Sequence, residues 1–260
     1  MSYPPEHLKT CLSCIDLTSL QATDTDARIL AMVQKVNAFP QHFPDLPLPA
    51  AICVYPSFTG ILHKSLTAKG VRIAVTGAGF PASQTFLPVK IQECRMAVEQ
   101  GADEVDIVLS LNYFLSGDYA RAGEEIFRIK EAIGPAHLKV IIESGTLAKP
   151  QAIAQASRIA MEAGADFIKT STGKSEPAAT LQAATVMCGE ILSYYQKTGK
   201  KTGFKPAGGI LSPEDAMDYY AIVEEILGPE WLNPSLFRIG ASRLANNLLS
   251  AISGITAHYF

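Results

Sequence analysis

Glu162-Ala163-Gly164-Ala165-Asp166-Phe167-Ile168-Lys169-Thr170 carries the pattern on which the fold reading turns. A helical stretch ends at Gly164, a turn of small and acidic residues follows, and Phe167–Thr170 is a short run of strand formers. Glycine just beyond a helix takes the left-handed backbone of a helix end at little cost. A short apolar run without polar alternation suits a strand covered on both faces, as in parallel sheets. One residue interrupts that run, Lys169. An amine inside a buried strand must be paired or spend part of its time neutral, and a neutral amine attacks carbonyl carbon.

The same unit occurs earlier in the chain. Glu99-Gln100-Gly101-Ala102-Asp103-Glu104-Val105-Asp106 aligns with Glu162 through Lys169, and Asp106 falls where Lys169 falls. Working outward, the alternation extends over the whole sequence. A short N-terminal helix over residues 1–14 precedes a first strand, Ile15-Asp16-Leu17-Thr18. Thr23-Asp24-Thr25-Asp26 is rich in N-cap residues and opens a helix with Ile29, Met32, Val33 and Val36 on one stripe. Pro40, Pro44, Pro47 and Pro49 mark the loop before a second strand, Ala50–Tyr55. Helices near 60–69, 86–100, 118–133, 149–163, 179–198 and 213–227 then end at Gly70, Gly101, Gly134, Gly164, Gly199 and Gly228. Strands follow them at 71–76, 104–109, 138–143, 167–170, 202–206 and 236–240, and a last helix covers 243–253.

Eight strands, each followed by a helix, in a chain close to the ~250 residues typical of that architecture predict an α/β fold: a single (β/α)8 TIM barrel over residues 1–260. No GxGxxG follows an early strand, so a dinucleotide-binding open sheet has little support. Alternate strands feed the same layer of a barrel interior, which predicts that Asp106 on the fourth strand and Lys169 on the sixth point inward at similar height.

Composition narrows the function. A net charge of −3 gives no electrostatic basis for binding nucleic acid or an anionic membrane. No apolar run is long enough to span a bilayer and no signal-peptide pattern opens the chain, so the expected location is cytoplasmic. Five scattered cysteines argue against a disulfide framework, and Cys11-Leu12-Ser13-Cys14, lacking a second pair, reads as two small buried thiols.

Lys205, in Gly203-Phe204-Lys205-Pro206-Ala207-Gly208-Gly209, is a second lysine inside an apolar strand. At a free pKa of ~10.4, about one lysine amine in a few thousand is neutral at pH 7, and a shift of ~3 units requires ~4 kcal/mol against the ammonium. Burial and a neighbouring cation both push that way. One lysine is therefore the nucleophile and the other the group that depresses its pKa, with the sequence pattern leaving open which is which. Asp106 is placed to move protons, and Lys139 on the fifth strand is a further inward charge. Thr172-Gly173-Lys174, Gly208-Gly209 and Gly240-Ala241-Ser242 follow strands six, seven and eight. Glycine clusters and a helix start at that rim predict a phosphate site.

Together these segments resemble the deoxyribose-phosphate aldolase family of class I aldolases. The resemblance rests on Asp16-Leu17-Thr18, Ala51-Ile52-Cys53, Gly79-Phe80-Pro81, Gly101–Asp106, Lys139–Glu143, Phe167–Gly173 and Lys205–Gly209. It implies that Lys169 forms the Schiff base, that Lys205 perturbs it and assists proton transfer, and that Asp106 relays protons. It implies cleavage of 2-deoxy-D-ribose 5-phosphate to D-glyceraldehyde 3-phosphate and acetaldehyde, with no metal and no organic cofactor. Asp16, Thr18, Cys53, Lys139 and Thr172 become substrate-site residues, and Gly173, Lys174, Gly208, Gly209, Gly240 and Ser242 the phosphate site. Some members end in a tyrosine that reaches the active site, which makes Tyr259 the candidate for such a tail, and since the family includes dimers a homodimer is one assembly open to the chain. Two positions depart from the pattern: Leu211 stands where many members have arginine, and Arg243 where many have serine. Another Schiff-base sugar-phosphate aldolase is disfavoured by the two paired lysine motifs. A barrel that only binds sugar phosphate is disfavoured by the retention of Lys169, Asp106 and Lys205.

Overall fold

The structure, a computed structural model, describes residues 3–260. Eight parallel strands lie in the order β7-β6-β5-β4-β3-β2-β1-β8. They are β1 (Ile15–Thr18), β2 (Ala51–Val54), β3 (Arg72–Thr76), β4 (Glu104–Val108), β5 (His137–Ile141), β6 (Phe167–Lys169), β7 (Gly203–Lys205) and β8 (Ile239–Ala241). Two isolated parallel bridges, Phe204 to Phe237 and Ala207 to Gly240, join the ends of that order and close the barrel. Three backbone bonds make the seam, Phe204 N to Leu236 O, Arg238 N to Phe204 O and Gly240 N to Pro206 O, at 2.9 to 3.0 Å.

The helices are α1 (Pro5–Ser13), α2 (Asp26–His42), α3 (Thr59–Ser65), α4 (Leu87–Glu99), α5 (Leu111–Leu115), α6 (Tyr119–Ile133), α7 (Ser144–Leu147), α8 (Pro150–Glu162), α9 (Leu181–Thr198), α10 (Pro213–Leu227) and α11 (Leu244–Ser253). N-terminal to the barrel, α1 packs against α10 and α11. Thr25 caps α2, accepting from Arg28 N, and Ser212 and Asp215 form a capping box on α10. Among the described residues no helix is long and apolar enough to cross a membrane.

Strand alternation sorts side chains into two compartments. Outward residues such as Ile15, Leu17, Ile52, Val54, Val75, Val105, Val140, Ile168, Phe204 and Ile239 join one core shared with the helices. Ala51, Cys53 and Ala74 form a separate small cluster inside the barrel. The inside is therefore narrow, partly apolar, and open to charge.

Several boundaries differ from the sequence expectation. The third helix, expected over 60–69, ends at Ser65 because Asn37 takes hold of the chain there. Its Nδ2 donates to Ser65 O at 2.7 Å, and its Oδ1 accepts from Thr67 N and Ala68 N at 2.8 and 3.0 Å. The fifth strand, expected to reach Glu143, stops at Ile141, and Glu143 adopts left-handed backbone with φ 52°. The eighth strand is regular only over Ile239–Ala241, with Phe237 held by a single bridge. The short helices α5 and α7, in the loops after β4 and β5, had no sequence signal strong enough to announce them.

Gly203 illustrates how tightly the interior is filled. A Cβ there would lie 2.2 Å from the ring of Phe167 on the neighbouring strand. Gly203→Ala is therefore expected to cost ~1–3 kcal/mol through overpacking, read as a lowered midpoint in urea unfolding with an unchanged m-value.

Candidate active site

Inside the barrel, seven ionisable side chains meet with almost no solvent exposure. Asp16 comes from β1, Glu104 and Asp106 from β4, Lys139 from β5, Lys169 from β6, Lys205 from β7, and Arg238 from the segment entering β8. Each strand supplies an inward residue because apolar neighbours on either side point outward into the helix layer.

Asp106 is the hub. Its Oδ2 accepts from Lys169 Nζ and Lys205 Nζ, both at 2.8 Å, and its Oδ1 accepts from Lys139 Nζ at 3.0 Å. Asp16 lies 2.5 Å from Lys205 Nζ through Oδ2 and 2.6 Å from Arg238 Nη1 through Oδ1. Glu104 takes Lys139 at 2.5 Å and Arg238 Nη2 at 2.7 Å. The expectation that Asp106 and Lys169 share a height thus corresponds to a direct ion pair, and Lys205 completes it.

Charge counting explains how the lysines differ. Three carboxylates (Asp16, Glu104, Asp106) face four cations (Lys139, Lys169, Lys205, Arg238), so the fully ionised cluster carries one surplus positive charge. Burial disfavours every ammonium here. For Lys205, Asp106 and Asp16 outweigh burial and raise the pKa above the ordinary lysine value. For Lys139, Asp106 and Glu104 do the same. Lys169 has only Asp106 as a carboxylate partner and shares it with two other lysines. Burial lowers its pKa, Asp106 opposes, and the Lys205 cation lowers it further, leaving the net shift downward. The carboxylates move the other way: although burial raises them, the surrounding cations hold Asp106 well below the usual range and depress Asp16 and Glu104.

The remaining predicted residues divide between interior and rim. Thr18 and Cys53 are ladder partners on β1 and β2. Thr18 Oγ1 donates to Asp16 O at 2.7 Å, and the Cys53 thiol, its pKa pushed up by burial, borders the lysines. Thr172 is held by Glu143, which accepts from its backbone N–H at 3.1 Å and its hydroxyl at 2.7 Å. Lys174 reaches across the mouth and donates to Leu20 O, joining the loop after β6 to the loop after β1. Gly173 and Gly208 pack face to face with φ of 71° and 88°; a Cβ on Gly208 would come within 3.2 Å of Gly173 Cα. Gly209 also has positive φ, 80°. Gly240 differs in setting from the other glycines, since a Cβ there would press on Ala207 Cβ at 2.7 Å and Lys205 Cε at 3.3 Å. Its smallness makes room for the lysine as well as for the turn. Ser242 is exposed at the rim.

The tail lies elsewhere than expected. Tyr259 Oη donates to Lys35 O, and its ring packs on Phe39 and Phe43 against α2. Asn246 fixes the segment, its Oδ1 accepting from Tyr259 N and Phe260 N. The two departures from pattern also find places. Leu211 is 40% exposed and offers no charge. Arg243 lines a 420 Å³ cavity with Arg28 and Lys35, beside Thr18 and Ser242.

Glu104, Arg238 and Glu143 were not singled out from the sequence. Glu104 stands two residues before Asp106, hence on the same strand face, and Arg238 interrupts an apolar strand just as Lys169 does. That alternation signal could have found both. Glu143 had no comparable signal, because its importance lies in a left-handed turn. Cys11 and Cys14 are buried free thiols, as the lack of a second pair suggested, and burial pushes the Cys14 thiol up to about 12. Among the described residues no group of three or more His, Cys, Asp and Glu is placed to hold a metal ion.

Comparison with known proteins identifies the family. The family model described as "DeoC/LacD family aldolase" matches residues 10–224. Human deoxyribose-phosphate aldolase is 42% identical over 252 residues, spanning 93% of this chain and 79% of that protein. The Bos taurus deoxyribose-phosphate aldolase is 42% identical over 248 residues, with 91% and 78% covered. The solved deoxyribose phosphate aldolase of Aeropyrum pernix superposes with a TM-score of 0.70 at 24% identity, covering 97% of this chain and 94% of that one, and so shares its fold. With the family match spanning most of the barrel and both relatives aligned over more than nine-tenths of this chain, the chain belongs to the DeoC/LacD family of aldolases, which are lyases.

Proposed function

We propose that this aldolase cleaves 2-deoxy-D-ribose 5-phosphate to D-glyceraldehyde 3-phosphate and acetaldehyde through a Schiff base on Lys169. The observation that carries the reading is the surplus cation: of the amines in the barrel, Lys169 is the one whose pKa falls, so it is the one ready to act as a nucleophile. The names of its relatives supply the substrate.

The neutral amine of Lys169 adds to C1 of the open-chain aldehyde, and uptake of one proton with loss of water gives an iminium. Removal of the C3 hydroxyl proton lets the C2–C3 electron pair flow into the iminium, releasing D-glyceraldehyde 3-phosphate and leaving an enamine. Protonation at C2 and hydrolysis then free acetaldehyde and the amine. The iminium is the electron sink, so the scheme draws on no metal or organic cofactor. Asp106, within 2.8 Å of Lys169 Nζ and Lys205 Nζ, is the group through which protons pass, and Lys205 maintains the positive field that keeps Lys169 neutral. Asp16, Thr18, Cys53 and Lys139 surround the reacting end, while Thr172, Gly173, Lys174, Gly208, Gly209 and Ser242 face the phosphate. Because Leu211 brings no charge, Arg243 with Arg28 and Lys35 supplies positive potential from the other side of the rim. The chain works as one cytoplasmic domain over residues 1–260.

Incubation with acetaldehyde and borohydride should leave a reduced two-carbon adduct on Lys169, located by peptide mass spectrometry; a protein without that adduct is not using this lysine. The pH dependence follows from the sign of the shift. The reactive form is the neutral amine, so the trapping rate should rise with pH through a pKa below that of ordinary lysine. In Lys205→Leu the cation that helps depress Lys169 is gone, so the rising limb should move to higher pH and adduct formation near pH 7 should fall, on the order of 10-fold. An unshifted profile in that variant would remove Lys205 from this role. Arg243→Ser should raise KM for the phosphorylated sugar ~3–10-fold, the worth of ~1 kcal/mol, while kcat and turnover of unphosphorylated 2-deoxyribose stay close to the parent values.

A further inference from the structure

Thr76, the last residue of β3, is fully buried, and its Oγ1 has no hydrogen-bond partner among the described residues. A buried hydroxyl without a partner disfavours folding, so such a group calls for a reason. Asp16 Oδ2 also lacks a hydrogen bond by geometry, but it faces the Lys205 ammonium at 2.5 Å and is matched in charge. Thr76 has no such compensation.

Its position supplies the reason. Thr76 is the ladder partner of Asp106, and partners in a parallel ladder present their side chains on the same sheet face. Ala74, two residues earlier, belongs to the small interior cluster with Cys53 and pairs with Glu104. The hydroxyl therefore lies inside the barrel, one strand from the carboxylate to which Lys169 and Lys205 are bound. Lys139, Lys169 and Lys205 already occupy three of the acceptor directions of Asp106. A carboxylate offers about four.

We propose that Thr76 is a further substrate-site residue: its hydroxyl holds a hydroxylic oxygen that exchanges a proton with Asp106. That oxygen belongs to the sugar or to a water molecule; in either case the proton leaving it is taken by the carboxylate and returned in the reverse step, with no change of oxidation state. The inference rests on the Schiff-base reading and adds a residue to it. Folding tolerates an unmatched group here because the ligand completes it.

Thr76→Val is the test, since valine keeps the shape and removes the hydroxyl. The variant is expected to melt at or above the parent temperature and still to give the acetaldehyde–borohydride adduct on Lys169. Cleavage of 2-deoxyribose 5-phosphate should fall at least 10-fold in kcat, and Thr76→Ser should recover most of it. A second assay assigns the oxygen by following deuterium uptake into the acetaldehyde methyl group in D₂O, which needs the enamine but no sugar. Uptake lowered in step with cleavage identifies a water molecule; uptake retained while cleavage falls identifies the sugar hydroxyl. Unchanged cleavage in a folded Thr76→Val protein overturns the proposal, and so does a marked loss of melting temperature with kcat per folded molecule intact. Thr76→Ala replaces the valine variant if that one does not fold. A missing Lys169 adduct in the parent enzyme would instead count against the Schiff-base reading.

Discussion

The structure depends on one electrostatic constraint: four cations and three carboxylates confined in the barrel without solvent. Burying an unpaired charge is costly, whereas a paired and hydrogen-bonded cluster is tolerated. Arg238 cannot lose its proton under ordinary conditions, and Lys139 and Lys205 each lie between two carboxylates. The excess charge is relieved most easily at Lys169, which has one shared partner. A structural requirement for neutrality thereby singles out the amine that holds its proton least firmly, the one proposed to react. On this view the reactivity of Lys169 belongs to the whole cluster, including Glu104 and Arg238, which do not touch it.

The closed barrel is what makes such a cluster affordable. Hydrophobic stabilisation comes from the outward strand residues packed under the helices, so the inward face is freed from supplying the core. The interior must still be filled, and glycine sets the spacing. Gly203 makes way for the Phe167 ring, and Gly240 for the Lys205 stem. Bulky apolar side chains at those two positions would displace the residues that build the site. The seam between β7 and β8, formed by bridges rather than a long ladder, lies beside both.

Much of this was legible in the sequence, because the interior obeys a period of two and the units repeat. Gly164 and Lys169 could be matched to Gly101 and Asp106 without coordinates, and eight such units specify closure. Elements set by side-chain-to-backbone bonds were less accessible. The end of α3 depends on Asn37, distant in sequence, and the break after Ile141 depends on Glu143 bonding to Thr172. Neither contact has a local signature. Tyr259 shows the same limit at the tail: its place against Phe39 and Phe43 follows from aromatic packing and from Asn246, which no spacing rule reveals.

Interior and rim are therefore governed by different physics. Inside, a single substitution changes the charge balance of the whole cluster, because every carboxylate is shared and the low dielectric lets each charge act on the others. At the rim, Lys174, Ser242 and Arg243 stand on loops in contact with solvent, where charges are screened and nearly independent. Charge changes at position 211 or 243 therefore act locally and leave the field at Lys169 nearly untouched. Glu143 links the two zones. Seated on the strand end beside β6 and bonded to Thr172, it fixes the loop that carries Gly173 and Lys174 directly above Lys169 in the chain. Its left-handed backbone is a local strain that the two hydrogen bonds to Thr172 offset. In the proposed mechanism, a phosphate held at the rim would thus be registered against the Lys169 amine through this one turn.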